Sequence, residues 1–321
     1  MTKKRTDVPQ VELIKRKTFL RRFARDWQLH LIVLIPLAYL LLFAYGPMYG
    51  VQIAFRAYSP KLGIIGSPWV GWKWFTKFLT SVQFKEVFMN TLILSVYSLF
   101  VGFPLPIIFA LILNALRSER LKNVTQTISY IPHFISITVM VSITLMVLSP
   151  ISGIYGNLYR LFGGTGYPED FRALASSFRH IYVWSGVWKQ LGWDSIIYLA
   201  ALSSVSPDLH EAAKIDGASR FKRVLHVDLP AIMPTIAILF ILRCGHVIGV
   251  GFEKAYLLQS SVNLSTSEVI STFVYKNGMN SFKNFSYGSA VGLFNSIINL
   301  ILLLTVNFTS KKMTEDEVSL I

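Results

Sequence analysis

Cysteine is almost missing from this 321-residue sequence: Cys244, inside an apolar run, is the single one. It has no intrachain partner, so a disulfide framework, a CxxC redox site and a cysteine-rich metal site are excluded. Charge is scarce as well. Only 15% of residues are Asp, Glu, Lys or Arg, against 53% hydrophobic, and mean hydropathy is +0.49. That balance is too apolar for an ordinary soluble domain and marks a polytopic membrane protein. Acids are the scarcer sign, 17 against 31 Lys and Arg, leaving a formal net charge of +14. The basic residues bunch at the ends of apolar runs instead of forming one stripe, which is a topology signal and excludes a nucleic-acid partner. No GxxxxGK[ST] segment is present, so the chain has no evident cradle for the phosphates of ATP. The six histidines are scattered, with no Ser/His/Asp arrangement and no metal-spaced pair, and neither catalysis nor a metal site is expected.

What is present is organised by length. A spanning helix needs about 20 apolar residues, each adding roughly 1.5 Å across a hydrocarbon core about 30 Å thick. Six stretches qualify: Gln28–Gly46, Met89–Leu113, Thr127–Leu148, Ile181–Val205, Ala231–Val250 and Tyr287–Phe308. The first follows a basic segment but is long for a signal-peptide core and has no small-x-small cleavage site after it, so it reads as an uncleaved anchor. Lysine and arginine cluster before the first stretch, at Arg117, Arg120 and Lys122, at Lys214, Arg220, Lys222 and Arg223, and at Lys311 and Lys312. The positive-inside tendency places all of these in the cytoplasm. The expected fold is an all-α polytopic protein of the lipid bilayer, with six transmembrane helices and both termini cytoplasmic. Its expected parts are a basic cytoplasmic segment (1–27), a first transmembrane helix with its outer loop (28–88), a five-helix core (89–308) containing a cytoplasmic loop (206–230), and a cytoplasmic tail (309–321).

That loop contains EAAKIDGASRFKRVLHVDLP (211–230), charged and out of place between two apolar runs. Ser206 suits an N-cap and Pro207 a first helical turn, so a short helix is expected through Glu211, Ala212 and Ala213. Gly217, free to adopt positive φ, stops it; Ser219 then caps a second short helix, expected to end before Leu229–Pro230. Each helix has one narrow apolar face, Leu209, Ala212 and Ala213 on the first and Phe221, Val224 and Leu225 on the second. Helices this short need something to dock against. The alternatives are a lipid surface and a soluble partner whose movement the hairpin would transmit into the bilayer.

The spacing Glu211-Ala212-Ala213, three residues, Gly217, nine residues, then Val227-x-Leu229-Pro230 resembles the EAA signature of the membrane subunits of bacterial type I ABC importers, with Val where that family often has Ile. The segments YGPMYGVQIAF (45–55), GSPWVGWKWF (66–75) and YIPHFIS (130–136) resemble the LplB-like, polysaccharide or oligosaccharide branch of the maltose-type permeases. The resemblance implies a MetI-like core paired with a second, homologous permease. It also implies two ATP-binding subunits, which carry the ATP and Mg, and an extracytoplasmic solute-binding protein. The loop would be the coupling element, with Glu211 and Asp216 beside the ATPase and Gly217 setting the turn.

Polar groups at bilayer depth mark a pathway or an interhelix contact. Lys189 and Asp194 lie about 140° apart around an ideal helix, so each needs another partner or must line water. Trp184 and Trp188 share one face, and Lys189 and Trp193 the next. Such faces suit a sugar ring, or else anchor the span. Arg243 and His246 share a face of the fifth span; the arginine meets Asp194, helix-end carbonyls or an aqueous cavity. In the sixth span Gly288, Gly292, Asn295 and Asn299 form a small-and-polar stripe turned away from lipid, its asparagines free to bond a neighbouring helix or a sugar. Pro36, Pro104, Pro106 and Pro132 fall within spans as kink candidates. The outer aromatic run Trp69, Trp72, Trp74 and Phe75 suits an interfacial belt or a delivering protein. Basic residues Lys61, Lys73, Arg160 and Arg172 outside, with Lys189 and Arg243 in the spans, are compatible with an acidic, uronate-containing oligosaccharide. The competing reading is a permease for another solute class, or a secondary carrier or scaffold with no ATPase.

Overall fold

A computed structural model of the chain describes residues 25–245, 249–280 and 284–313. Those residues are almost wholly helical, with two isolated β-bridges, Arg56 to Trp69 and Ser59 to Gly63, in the loop after the first helix. Helix α1 (Trp27–Leu40) contains Pro36 and runs on through a π turn, Leu41–Tyr45, into a 3-10 segment, Gly46–Phe55. A short helix, α2 (Lys73–Leu79), leads to α3 (Val82–Gly102), and α4 (Pro104–Asn114) continues the same rod past Phe103. Pro104 and Pro106 therefore sit in the first turn of α4, where a missing N–H costs nothing.

The expected third span is not one helix. Helix α5 (Glu119–Tyr130) ends in a 3-10 turn, Ile131–Phe134, and α6 (Ile137–Val147) departs at 107° to it. Pro132 cannot continue the helical ladder, Ile135 is extended at ψ 136°, and the Ser136 hydroxyl restarts the helix by accepting the Val139 N–H at 3.2 Å. After α7 (Ile154–Leu161) comes α8 (Ala175–Ser203), 29 residues long and starting earlier than the expected Ile181.

The loop helices are α9 (Pro207–Ile215) and α10 (Arg220–Arg223). The second of these was expected to end before Leu229–Pro230. Instead it runs through a π turn, Val224–Asp228, into α11 (Leu229–Cys244), making one rod from Arg220 to Cys244. A proline ring in a helix collides with the carbonyl four residues back; the wider π turn lies where Pro230 would otherwise do so. The remaining helices are α12 (Phe252–Leu258), α13 (Ile270–Val274) and α14 (Phe285–Met313).

Among the described residues four helices are long and apolar enough to cross a membrane, Trp27–Phe55, Val82–Asn114, Arg220–Cys244 and Phe285–Phe308, and the bent pair makes a fifth if it counts as one span. Helix α8 has the length but is less apolar, and it is the axis of the molecule. It packs against α3, α4, α5, α6, α11 and α12. Near its start Phe178, Tyr182 and Val183 meet Leu94, Met140 and Val269; near its end Tyr198, Leu199 and Leu202 meet Ile107, Ala110, Leu113 and Ile232. Between these clusters Gly192 lets α5 approach so closely that a Cβ there would lie 2.3 Å from the Ser129 carbonyl oxygen.

Gly192→Ala is therefore expected to destabilise the detergent-solubilised protein by about 1–3 kcal/mol, read as a lower thermal unfolding midpoint. Gly292→Ala is the control, because a Cβ there meets nothing within 4 Å. Equal midpoints for the two variants would contradict the close packing of α5 on α8.

Candidate functional site

The polar residues of α8 and α11 converge on a cavity of about 190 Å³ between the two apolar clusters. One wall comes from α8 (Tyr182, Gly186, Gln190, Asp194), another from α11 (Arg243), a third from α12 (Lys254), and Ser98 and Gly102 of α3 close it. Arg243 Nη1 donates to Asp194 Oδ2 at 2.9 Å, so the arginine meets the carboxylate of the neighbouring helix. Lys254 is 8% exposed. Its ammonium donates to the Tyr182 carbonyl and lies over the Tyr182 ring, 4.3 Å from the centroid. A Cβ on Gly186 would fall 2.8 Å from the Lys254 Nζ, so that glycine makes room for the ammonium.

Lys189 points elsewhere. Its Nζ donates to the carbonyls of His133 and Ile135, each at 2.6 Å, where the bent span is broken. His133 is held twice more against α8, by Gln190 Oε1 at 2.8 Å and by stacking on Trp193 at a centroid distance of 4.0 Å and an angle of 4°. Neither Lys189 nor Lys254 forms an ion pair among the described residues. The cavity lining thus holds one lysine and one arginine against one paired carboxylate.

Trp184 and Trp188 face away from that cavity and line an apolar groove of about 550 Å³ with Ile143, Val147 and Leu148. Trp184 Nε1 donates to Tyr97 Oη at 3.2 Å, and that hydroxyl bonds His180 Nδ1 at 2.8 Å. Asn295 and Asn299 sit half-buried on α14 and do not line the central cavity; the Oδ1 of Asn295 is buried with no hydrogen-bond partner among the described residues. His246 lies outside the described residues. Of the outer basic residues, Arg172 is already spent. It grips Asp170 through two bonds of 2.7 Å, and its guanidinium holds that carboxyl below the usual range.

Lys254, Tyr182 and Gln190 were not singled out in the sequence. The available signal was GVGFEKAYLL (249–258), an apolar run whose two charges, Glu253 and Lys254, look like loop residues until α12 brings Lys254 back against α8 and Glu253 to Thr138 of α6.

The loop forms the second site. Helix α9 ends in a Schellman motif: Gly217 sits at φ +73°, its N–H bonds the Lys214 carbonyl at 3.0 Å, and the Ala218 N–H bonds the Ala213 carbonyl at 2.9 Å. Ser219 caps α10 by accepting the Lys222 N–H at 3.3 Å. Glu211, Ala212 and Asp216 are exposed, Ala213 half-buried, and Leu229 and Pro230 open α11. Leu209, Ile215 and Phe221 are 54%, 86% and 71% exposed, an apolar surface on the hairpin. Asp228, also unforeseen, ties the hairpin to the bundle through His210 Nε2 at 3.2 Å and Asn114 Nδ2 at 3.4 Å.

A bundle of apolar helices around a charged cavity, with a helical hairpin projecting from one end of the cavity-lining rods, defines a membrane transport subunit. The chain belongs to the family of binding-protein-dependent transport system inner membrane components, whose model matches residues 102–315. It is 41% identical, over 94% of its length and 93% of the relative's, to the polygalacturonan/rhamnogalacturonan transport system permease protein YteP of Bacillus subtilis (strain 168). To protein LplB of the same organism it is 40% identical over 98% of both chains. It also superposes, with a TM-score of 0.84 and 37% identity, on a chain of a bacterial ABC transporter involved in the import of the acidic polysaccharide alginate, covering 92% of this chain and 99% of that one. The protein is accordingly an ABC-type permease subunit of the bacterial cytoplasmic membrane with a MetI-like fold, and not itself an enzyme.

A double-mutant cycle on Asp194→Ala and Arg243→Ala is expected to give a coupling energy of about 1 kcal/mol, at the modest end because the Arg243 side chain is 45% exposed. Strictly additive effects on unfolding would mean that the pair is geometric only.

Proposed function

We propose that the chain is one half of the translocation pathway of an ATP-driven importer of acidic oligosaccharides. It crosses the membrane six times with both termini in the cytoplasm, α8 supplying the sixth span. The single observation that carries the substrate class is the charge balance of the central cavity. Lys254 reaches it without a carboxylate partner among the described residues, and Arg243 shares the one acid in its lining. A carboxylate on an entering sugar would supply the counter-charge that the bundle lacks. The relatives support the same class, since one is named for polygalacturonan/rhamnogalacturonan transport and another for import of acidic alginate.

The hairpin α9–α10 would seat in an ATP-binding subunit, with Glu211, Ala212, Ala213 and Asp216 at the contact, Gly217 holding the turn, and Leu229 and Pro230 beginning the rod that carries the movement inward. ATP and Mg would sit on that partner. A second, homologous permease would complete the pathway, and a solute-binding protein would deliver the sugar from outside, as in the solved alginate transporter with its alginate pentasaccharide-bound periplasmic protein. Partner closure would bias the bundle between inward-open and outward-open states, because the contacts differ in the two.

Lys254→Gln is expected to lower the uptake of a uronate oligosaccharide about tenfold, one charge-assisted contact's worth, with little effect on a neutral chain of equal length. An equal loss for both sugars would sink the acidic assignment. Separately, Gly217→Val places a β-branched residue at φ +73° and should abolish uptake while membrane insertion is kept. Normal uptake by that variant would remove the coupling role.

A further inference from the structure

Behind α9, away from the central cavity, lies a second polar cavity of about 400 Å³. Cationic side chains reach it from three parts of the chain: Arg117 from the segment after α4, Lys214 from α9, and Arg220 and Arg223 from α10. The one acid in its lining, Asp228, is 2% exposed and already engaged by His210 and Asn114. None of the four cations comes within ion-pair distance of a carboxylate among the described residues, Asp228 acting on Arg223 only at longer range, and the Nε of Arg223 is buried with no hydrogen-bond partner. Like charges gathered around one pocket repel, and a buried donor left unused is costly. A single anion with several acceptor oxygens relieves both, and the fork of an arginine suits a phosphate group in particular.

The cavity is on the inner side of the hairpin. His210 and Lys214 share the face of α9 turned to it, whereas Glu211 and the 86% exposed Ile215 are turned away from it, toward the side open to a protein partner. Its depth is that of Asn114, where α4 ends, and of Asp228, next to the start of α11. Headgroup phosphates of the adjacent leaflet lie at this boundary between apolar rod and water.

We propose that this cavity binds a phosphate group through Arg117, Lys214, Arg220 and Arg223, and that its occupancy sets how the hairpin sits on the bundle. The site is independent of which solute the central cavity carries. Phosphate chemistry has two sources here, a phospholipid headgroup and phosphate in solution.

The test uses the full chain in neutral detergent, its thermal unfolding followed during separate titrations with short-chain phosphatidylglycerol and with inorganic phosphate. The wild type is expected to show a saturable rise in midpoint. Arg117→Gln and Arg223→Gln should move half-saturation to about tenfold higher concentration, the worth of one charge-assisted contact. Lys214→Gln, at an exposed position, keeps the test decisive if either arginine variant fails to fold. A rise with phosphatidylglycerol alone assigns the headgroup; a rise with inorganic phosphate as well assigns phosphate in solution. Half-saturation unchanged in the variants, or no saturable rise with either probe, overturns the site.

Discussion

A charged group inside a helical bundle has to be neutralised by the bundle itself, because water is not there to do it. Lys189 sets that constraint, and what meets it is not a carboxylate but the carbonyls of His133 and Ile135. In an unbroken helix those oxygens would be taken by N–H groups further along. The break at Pro132 to Ser136 frees them, and the ammonium then prevents them from standing unsatisfied. Ammonium and break depend on each other, and the His133 contacts with Gln190 and Trp193 fix the same register. The 107° bend, the course of α6 and the seating of α5 on Gly192 follow from this latch.

With α8 held in place, the molecule reduces to two rods and a hairpin. Helix α8 lines the cavity and leads, past Ser204 and Ser206, directly into α9. The rod from Arg220 to Cys244 starts in the hairpin and carries Arg243 to the same cavity. The rods are tied at both levels, by Asp194 with Arg243 at the cavity and by His210 with Asp228 near the hairpin. On the proposed reading, a displacement of the hairpin would move two cavity walls together. The π turn at Val224–Asp228 is what keeps the second rod continuous; a helix ending before Leu229, as the proline suggested, would have left a joint there.

The hairpin was legible in the sequence because its signals are local. A serine cap, a proline in the first turn and a glycine at positive φ act within a few residues of themselves. In the third span only a kink at Pro132 was legible; the full break was not, because what stabilises it is Lys189, more than fifty residues away, and a run of apolar residues does not record that. Proline at 230 was misread for a related reason: a π turn just upstream accommodates it, and nothing in the one-dimensional pattern marks such a turn. Lys189 was recognised as needing a partner, but backbone carbonyls leave no trace in side-chain patterns. Lys254 was missed because its burial comes from α12 folding back onto α8, which is a tertiary event. Asn295 and Asn299 share a helix face as read, yet sharing a face does not bring them to the cavity.

The latch also bears on how transport is driven. Carriers that run on an ion gradient place the free carbonyls of broken helices around the coupling ion, which binds and leaves in each cycle. Here the corresponding carbonyls are occupied by an ammonium that belongs to the chain and cannot leave. The broken span thus offers no seat for an exchangeable cation at its exposed backbone. Both cavity-lining rods lead to the hairpin, where Leu209, Ile215 and Phe221 stand in the open. Exposed apolar side chains on helices too short to stand alone are stable only when something covers them. On the proposed reading the covering subunit is the ATPase, and the surface that needs it is also the one from which the cavity walls can be moved.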